Sequence, residues 1–99
     1  MSRLPKLSLY RFRLYVADSA PNSLQAAANL NALCRTYLAG RHEIEIIDVF
    51  AKPQLAMSDA IFMTPTLLRL SPGPQLRIVG TLAQTDIVLQ ALGLDTVPA

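Results

Sequence analysis

The chain has 99 residues, of which 52% are hydrophobic and 16% are charged, and its formal net charge is +2. This length fits one domain, and the apolar content is too high for a disordered chain. The nine Lys and Arg residues are scattered along the sequence, which argues against a nucleic-acid partner, and no apolar run approaches the roughly 20 residues that span a bilayer. The single cysteine excludes an internal disulfide framework, so a cytoplasmic protein is expected.

We expect residues 1–99 to form one domain with flexible termini at 1–7 and 95–99. Alternating apolar and polar residues predict a first strand from about residue 8 to residue 16. The predicted apolar face carries Tyr10, Phe12, Leu14 and Val16, and the wetter face carries Arg11, Arg13 and Tyr15. This alternation favours a core strand with solvated arginines over a base-stacking platform.

A polar connection then leads into a long helix. Pro21 suits its first turn, and Asn22 followed by Gln25 resembles a capping box. The helix is predicted to run to about Leu38, with Gly40 as its stop. Its buried stripe is predicted to contain Ala26, Ala27, Leu30, Leu33, Cys34 and Tyr37.

Residues 43–50 are rich in β-branched side chains and predict a second strand. A strand, a helix of this length and another strand imply a parallel pair with a right-handed crossover. Asp48 in this segment could act as a buried general base. We favour the alternative, in which Asp48 lies at the strand end and accepts hydrogen bonds from backbone donors.

The second half predicts shorter elements. Pro53 opens a helix over residues 53–60 whose apolar stripe is thin, and the Thr64-Pro65-Thr66 segment ends it. A third strand over residues 66–70, a Pro-Gly turn at 71–74 and a fourth strand at 76–79 form an antiparallel hairpin.

The last predicted element is a helix. Thr81 and Gln84 have the spacing of a second capping box, and the helix is predicted to run to about Leu92, before Gly93. The order is therefore β-α-β-α-β-β-α, an α/β chain with the arrangement of the thioredoxin-like fold.

The residues do not predict an enzyme. A thioredoxin-like oxidoreductase needs a cysteine where the first strand meets the first helix, because the helix N-terminus stabilises the thiolate there. Cys34 lies three turns later and is interpreted as a buried apolar residue. His42 is the only histidine, in a polar turn without a second ligand, so it is interpreted as solvated. No catalytic residue, metal site or cofactor is predicted. Met57 and Met63 could adapt to a partner, but their interpretation as core residues is favoured.

Three segments carry a family resemblance: LYVADSAPNS, IIDVFAKPQLAMSD and MTPTLLRLSPGPQLRIVG. They resemble KaiB, the circadian clock family, whose module also occurs as the sensory domain of the clock output histidine kinase. The similarity runs from about Tyr10 to Leu94. It implies a non-enzymatic adaptor that binds a KaiC-type hexameric ATPase ring, with KaiA or output histidine kinases as further partners. Basic partner-binding positions of the family are matched by Arg69 and Arg77, and Lys52 is a neighbour of another.

The resemblance also implies a second fold of order β-α-β-β-α-α-β, in which the chain would self-associate. Residues 64–74 carry the predicted conformational switch, with Thr64, Pro65, Pro72 and Pro74. Ala91 stands where the family has glycine, which favours the helical state by about 0.8–1 kcal/mol, or roughly four- to fivefold. Together with the short segment 95–99, this predicts that the thioredoxin-like state is more populated than in typical members.

Two other functions remain open from the sequence. The chain could be a thioredoxin-fold adaptor in stress signalling outside any clock. It could also be a cysteine-free binder of peptides or glutathione, with Pro65 presenting backbone groups.

Overall fold

A computed structural model describes residues 8–94. The predictions made for residues 1–7 and 95–99 lie outside this range. The seven elements follow the order β-α-β-α-β-β-α, which confirms the predicted fold. They are β1 (Tyr10–Val16), α1 (Pro21–Tyr37), β2 (His42–Asp48), α2 (Pro53–Ser58), β3 (Thr66–Ser71), β4 (Leu76–Val79) and α3 (Thr85–Ala91).

The four strands form one sheet in the order β2-β1-β3-β4. β1 is parallel to β2 and antiparallel to β3, with a register shift between Arg11 and Phe12. β4 is antiparallel to β3 and lies at an edge of the sheet. This arrangement is the parallel unit followed by a hairpin that the sequence predicts.

One face of the sheet packs against α1 and α3 and carries most of the core. Phe12, Leu14, Leu30, Leu67 and Leu89 are all at most 2% exposed in this cluster. The predicted α1 stripe is confirmed at its buried members, Ala26, Leu30, Leu33 and Cys34. Tyr37 was wrongly included in it, because this last residue of the helix projects from the edge of the cluster and is exposed.

Within residues 8–94, the other face is covered only by the short helix α2. Its buried set is small and consists of Tyr15, Ile47, Ala56 and Leu68. The prediction that Tyr15 lies on a wetter face of β1 is wrong, because its ring is fully buried under α2. Both faces of β1 are therefore covered, as expected for a strand in the middle of an α/β sheet.

The predicted capping box at the start of α1 is also wrong. Ala20 occupies the N-cap and makes no side-chain cap, and Pro21 supplies the first helical position. The polar side chain that acts here is Ser23, whose buried Oγ accepts a 3.0 Å hydrogen bond from the Ala17 N–H. The loop is therefore fixed from inside the first turn of the helix.

α3 begins three residues later than predicted, because residues 80–84 form a loop packed on α1. Leu82 is buried with φ +63°, and Asn29 Nδ2 donates a 2.8 Å hydrogen bond to the Thr81 carbonyl. Gln84 is the N-cap and makes no side-chain cap, so the capping box of Thr81 and Gln84 is not formed.

β2 ends at Asp48, two residues earlier than predicted. Asp48 Oδ1 accepts hydrogen bonds from the N–H groups of Phe50, at 2.9 Å, and Asp18, at 3.3 Å. The favoured interpretation of Asp48 as a strand-end acceptor is confirmed. It fixes the turn that leads to the exposed surface described next.

Candidate functional site

The most exposed apolar side chains of the described chain gather beside α2. Phe62 is 90% exposed, Met57 78%, Phe50 73% and Met63 63%. Met57 lies within α2, and the other three lie in the segments that flank this helix. Phe50, Phe62, Met63 and the half-buried Ile61 line a shallow groove of about 180 Å³. We call these four residues the Phe62 patch. Clustered apolar groups of this kind mark interaction surfaces on soluble proteins.

The interpretation of Met57 and Met63 as core residues is wrong, since both are largely exposed. α2 has only six residues, and Ala56 is its one buried position. The helix is too short to cover the apolar run of residues 61–63 that follows it. That apolar run, next to a helix too short to cover it, is the sequence signal for the patch.

The Phe62 patch lies where β1 and β2 end and β3 begins. Ala17, just after β1, and Thr64, just before β3, complete the groove. An oxidoreductase of this fold would hold its reactive cysteine at this junction. In this chain Asp18 follows Ala17, whereas Cys34 lies deep in α1, where burial raises the pKa of its thiol to about 11.

A polar network anchors the segment that carries the patch. Asp59, directly after α2, accepts hydrogen bonds at Oδ2 from Tyr15 Oη, at 2.5 Å, and Arg13 Nη1, at 2.9 Å. Arg13 also pairs with Glu45 of β2 at 3.0 Å. The Asp59 and Arg13 side chains are only 18% and 22% exposed, so the pair is shielded from solvent.

Charge and hydrogen bonding fix the protonation of this network. Burial acts to raise the pKa of Asp59, but the bonds from Tyr15 and Arg13 and the charges of Arg13 and Arg77 outweigh it, so the pKa is lowered. Burial, followed by the bond to Asp59, raises the pKa of Tyr15 to about 12. The bond to Asp59 also raises the pKa of Arg13. At neutral pH Asp59 is therefore an anion facing a cation and a phenol.

The two arginines predicted to bind a partner are engaged within the chain. Arg77 donates from Nη2 to the Asp59 carbonyl, at 2.6 Å, and from Nη1 to the Ala60 carbonyl, at 2.8 Å. Arg69 donates from Nη1 to the Leu92 carbonyl, at 3.1 Å, and from Nη2 to the Pro74 carbonyl, at 3.0 Å. Arg77 thus binds two carbonyl groups that follow α2, whereas Arg69 binds one carbonyl that follows α3 and one in the β3–β4 turn.

The structure does not bring the predicted partner-binding residues together. Leu68 and Arg77 are paired on the α2 side, whereas Arg69 reaches α3 on the opposite side of the sheet. Lys52 is exposed at the N-cap of α2, two residues from Phe50. Lys52 is therefore the predicted cation nearest in sequence to the Phe62 patch.

The predicted switch residues are also spread over the fold. Thr64 and the buried Pro65 join the Phe62 patch to β3, and their peptide bond is cis. Pro72 and Pro74 lie in the β3–β4 turn at the other end of the hairpin. Ala91 is the exposed last residue of α3. The structure shows all of these residues in the thioredoxin-like conformation.

No metal centre is formed among residues 8–94, where no three His, Cys, Asp or Glu side chains come together. His42 is the first residue of β2, and its Nδ1 lies 2.8 Å from the Leu38 carbonyl. It was interpreted as solvated, but it is half-buried and ties the end of α1 to the sheet. No helix in the described range is long and apolar enough to cross a membrane.

The fold and the site define a thioredoxin-like domain that carries an apolar patch where related enzymes carry cysteine. Comparison with solved structures agrees on the fold. The N-terminal domain of Synechococcus elongatus SasA matches with a TM-score of 0.71 and 19% identity, covering 100% of this chain and 97% of that one. Chloroplastic thioredoxin z matches with a TM-score of 0.67 and 24% identity, over 87% and 80% of the two chains.

The chain belongs to the KaiB family. The KaiB domain model matches residues 13–94. Circadian clock protein KaiB3 of Synechocystis sp. is 43% identical over 86 residues, which cover 87% of this chain and 82% of the relative. The circadian clock oscillator protein KaiB of Thermosynechococcus vestitus is 41% identical over 91 residues, covering 92% and 82%. The resemblance seen in the sequence is thereby confirmed.

Proposed function

We propose that this protein is a non-enzymatic adaptor that binds a KaiC-type hexameric ATPase ring through the Phe62 patch. The observation that carries the proposal is the exposure of Phe50, Phe62 and Met63 together on one rim of the domain. Exposed apolar surface gains roughly 25 cal/mol per Å² when a partner removes it from water. Aromatic residues and methionine are also enriched at the centres of protein interfaces.

The surroundings of the patch suit an interface. Asp59 and Arg77 fix the residues immediately before Ile61, so the patch is presented in an ordered conformation. A preorganised surface loses less conformational entropy on binding. Lys52 is an exposed cation two residues from Phe50, and a charge at the rim of an interface acts mainly on association rate and partner choice.

KaiA or output histidine kinases are proposed as further partners, in keeping with the clock family. We propose that binding occurs in the thioredoxin-like state, with exchange to the second fold through the segment that carries Thr64, Pro65, Pro72 and Pro74, and with Ala91 favouring the helical state. The partner-binding roles of Arg69 and Arg77 stay predictions. Their internal hydrogen bonds mean that a loss of binding in their variants needs a parallel measurement of fold stability.

The test is a pulldown and titration with a KaiC-type ATPase, with and without ATP, comparing the wild-type chain, Phe62→Ser and Leu24→Ser. Leu24 serves as the control because it is 58% exposed on α1 and does not line the groove. We expect Phe62→Ser to weaken binding at least about tenfold, the size of an interface anchor, while Leu24→Ser binds like wild type. If the wild-type chain bound the ring neither with nor without ATP, the proposed partner would be wrong. If Phe62→Ser and Leu24→Ser bound the ring equally well, the proposed binding site would be wrong.

A further inference from the structure

The β4 edge of the sheet has backbone groups that point away from β3. The Gly80 N–H donates to the Pro65 carbonyl at 2.9 Å, and the ladder pairs Leu67 with Ile78. Since hydrogen-bonded and non-hydrogen-bonded pairs alternate in an antiparallel ladder, Ile78 bonds to β3, and the N–H and C=O of Arg77 and Val79 point outward. Within the described residues these outward groups have no backbone partner.

β4 lacks most features that normally prevent strands from pairing at an edge. Its four residues, LRIV, include no lysine, no proline and no bulge. Val79 is half-exposed on this strand, and Ile87 of α3 is half-exposed across a groove of about 310 Å³ that both residues line. The edge therefore combines free hydrogen-bonding groups with apolar side chains.

The opposite edge, β2, differs in charge. Its exposed Glu43 and Glu45 form ion pairs with Arg11 and Arg13, at 3.3 Å and 3.0 Å. Charged side chains along an edge oppose strand addition. The only charged residue of β4 is Arg77, and its guanidinium is held by the carbonyls of Asp59 and Ala60.

We propose that a second copy of this chain pairs with it through β4, antiparallel and about a two-fold axis at Ile78. This register sets Arg77 of one copy against Val79 of the other, so that their outward N–H and C=O groups form four hydrogen bonds. The two Ile78 side chains meet at the axis. The two sheets become one sheet of eight strands.

The register suits a second copy because pairing about the two-fold axis does not set like charges directly opposite each other. The two-fold axis keeps the Arg77 residues from facing each other and places each beside an uncharged Val79. Pairing β4 with β2 of another copy would be heterologous and would leave edges free for further addition, whereas the two-fold pairing closes.

The expected dimer is weak. A four-residue edge with Val79 and Ile87 offers less than the roughly 800 Å² per partner of a standard interface. We therefore expect a dissociation constant in the high micromolar range, several-fold below about 1 mM, with the monomer dominant in dilute solution. The proposal concerns a different edge from the Phe62 patch, so either can fail without the other.

Sedimentation equilibrium from low micromolar to about 1 mM tests this with two variants, Val79→Lys and Ile46→Lys. The two positions are matched, since Val79 is 50% and Ile46 49% exposed, on opposite edges of one sheet. We expect the wild-type mass to rise from 10.8 kDa toward twice that value, Ile46→Lys to follow it and Val79→Lys to stay monomeric. Amide exchange at Arg77 and Val79 should slow with concentration, with an unchanged circular dichroism spectrum.

Three results would overturn the proposal. The first is a wild-type chain that stays monomeric up to about 1 mM, well above the expected dissociation range. The second is a dimer that Ile46→Lys abolishes and Val79→Lys preserves, which would place pairing at β2. The third is self-association accompanied by a change in secondary structure, which would assign it to the second fold.

Discussion

The two faces of the sheet are held in different ways. In the part of the chain that the structure describes, the face under α1 and α3 has a cluster of 14 buried residues, including Leu30 and Leu67. The face under α2 has four, and its helix is tied down by the polar network of Arg13, Asp59 and Arg77. Burial of apolar area stabilises the first face, whereas hydrogen bonds and charges define the second.

This difference explains where the Phe62 patch lies. A six-residue helix cannot cover the sheet, so apolar side chains at its margin stay exposed. Polar anchors then hold that margin in place without burying it. If the proposed function is right, the main source of stability and the partner contact lie on opposite sides of β1 and β3.

The largest expected effect is a loss of stability, and it should differ between two neighbouring residues of β3. Leu67 faces the large cluster and Leu68 the small one, and both are buried. We expect Leu67→Ala to lower the free energy of unfolding by about 3–5 kcal/mol and Leu68→Ala by about 2–3 kcal/mol, measured by urea unfolding.

Hydrogen exchange sharpens the same comparison. Leu67→Ala should speed exchange throughout the chain, and Leu68→Ala should speed it mainly in α2. If Leu68→Ala proved the more costly and the more global of the two, the division between the faces would be wrong.

The second effect is that of Asp59→Asn, which we expect to lower the free energy of unfolding by about 1–3 kcal/mol at pH 7. The pKa of Asp59 is lowered in the folded chain, so its stabilisation is present above the unfolded pKa of about 3.9 and is lost as pH falls through the lower folded value. The difference between wild type and variant should therefore shrink at pH 3. A difference that grew on acidification would contradict the role of the anion.

The smallest effects are expected for Arg77→Ala and Arg69→Ala. Each removes two hydrogen bonds to carbonyls and should cost about 1–2 kcal/mol. Amide exchange should accelerate after α2 in Arg77→Ala and after α3 in Arg69→Ala. Accelerated exchange at the same helix in both variants would show that the two arginines are not independent anchors.

The sequence predicted the fold because periodicity and turn residues set the elements. Alternation in β1 and the Pro-Gly turn at 71–74 gave the strands, and Asp48 behaved as its position suggested. Capping boxes failed because a local spacing does not determine where a helix starts. The loop before α3 is fixed by Leu82 in the core and by Asn29, contacts that depend on the complete fold.

The candidate site was harder to predict. Methionine is usually buried, so Met57 and Met63 were assigned to the core, and only the shortness of α2 reverses that assignment. Arg77 and Arg69 had the right charge for an interface, but sequence cannot show that carbonyl groups already bind them. The Arg13–Asp59 pair spans 46 positions in sequence and needed the three-dimensional arrangement.

The central claim is that the α2 side meets the partner and the α1 side does not. Its most direct test is a hydrogen-exchange footprint of the chain bound to a KaiC-type ATPase ring. We predict protection at residues 49–52 and 61–64, with no change at the exposed face of α1 around Leu24. Protection over α1 with unchanged exchange at residues 61–64 would contradict the account.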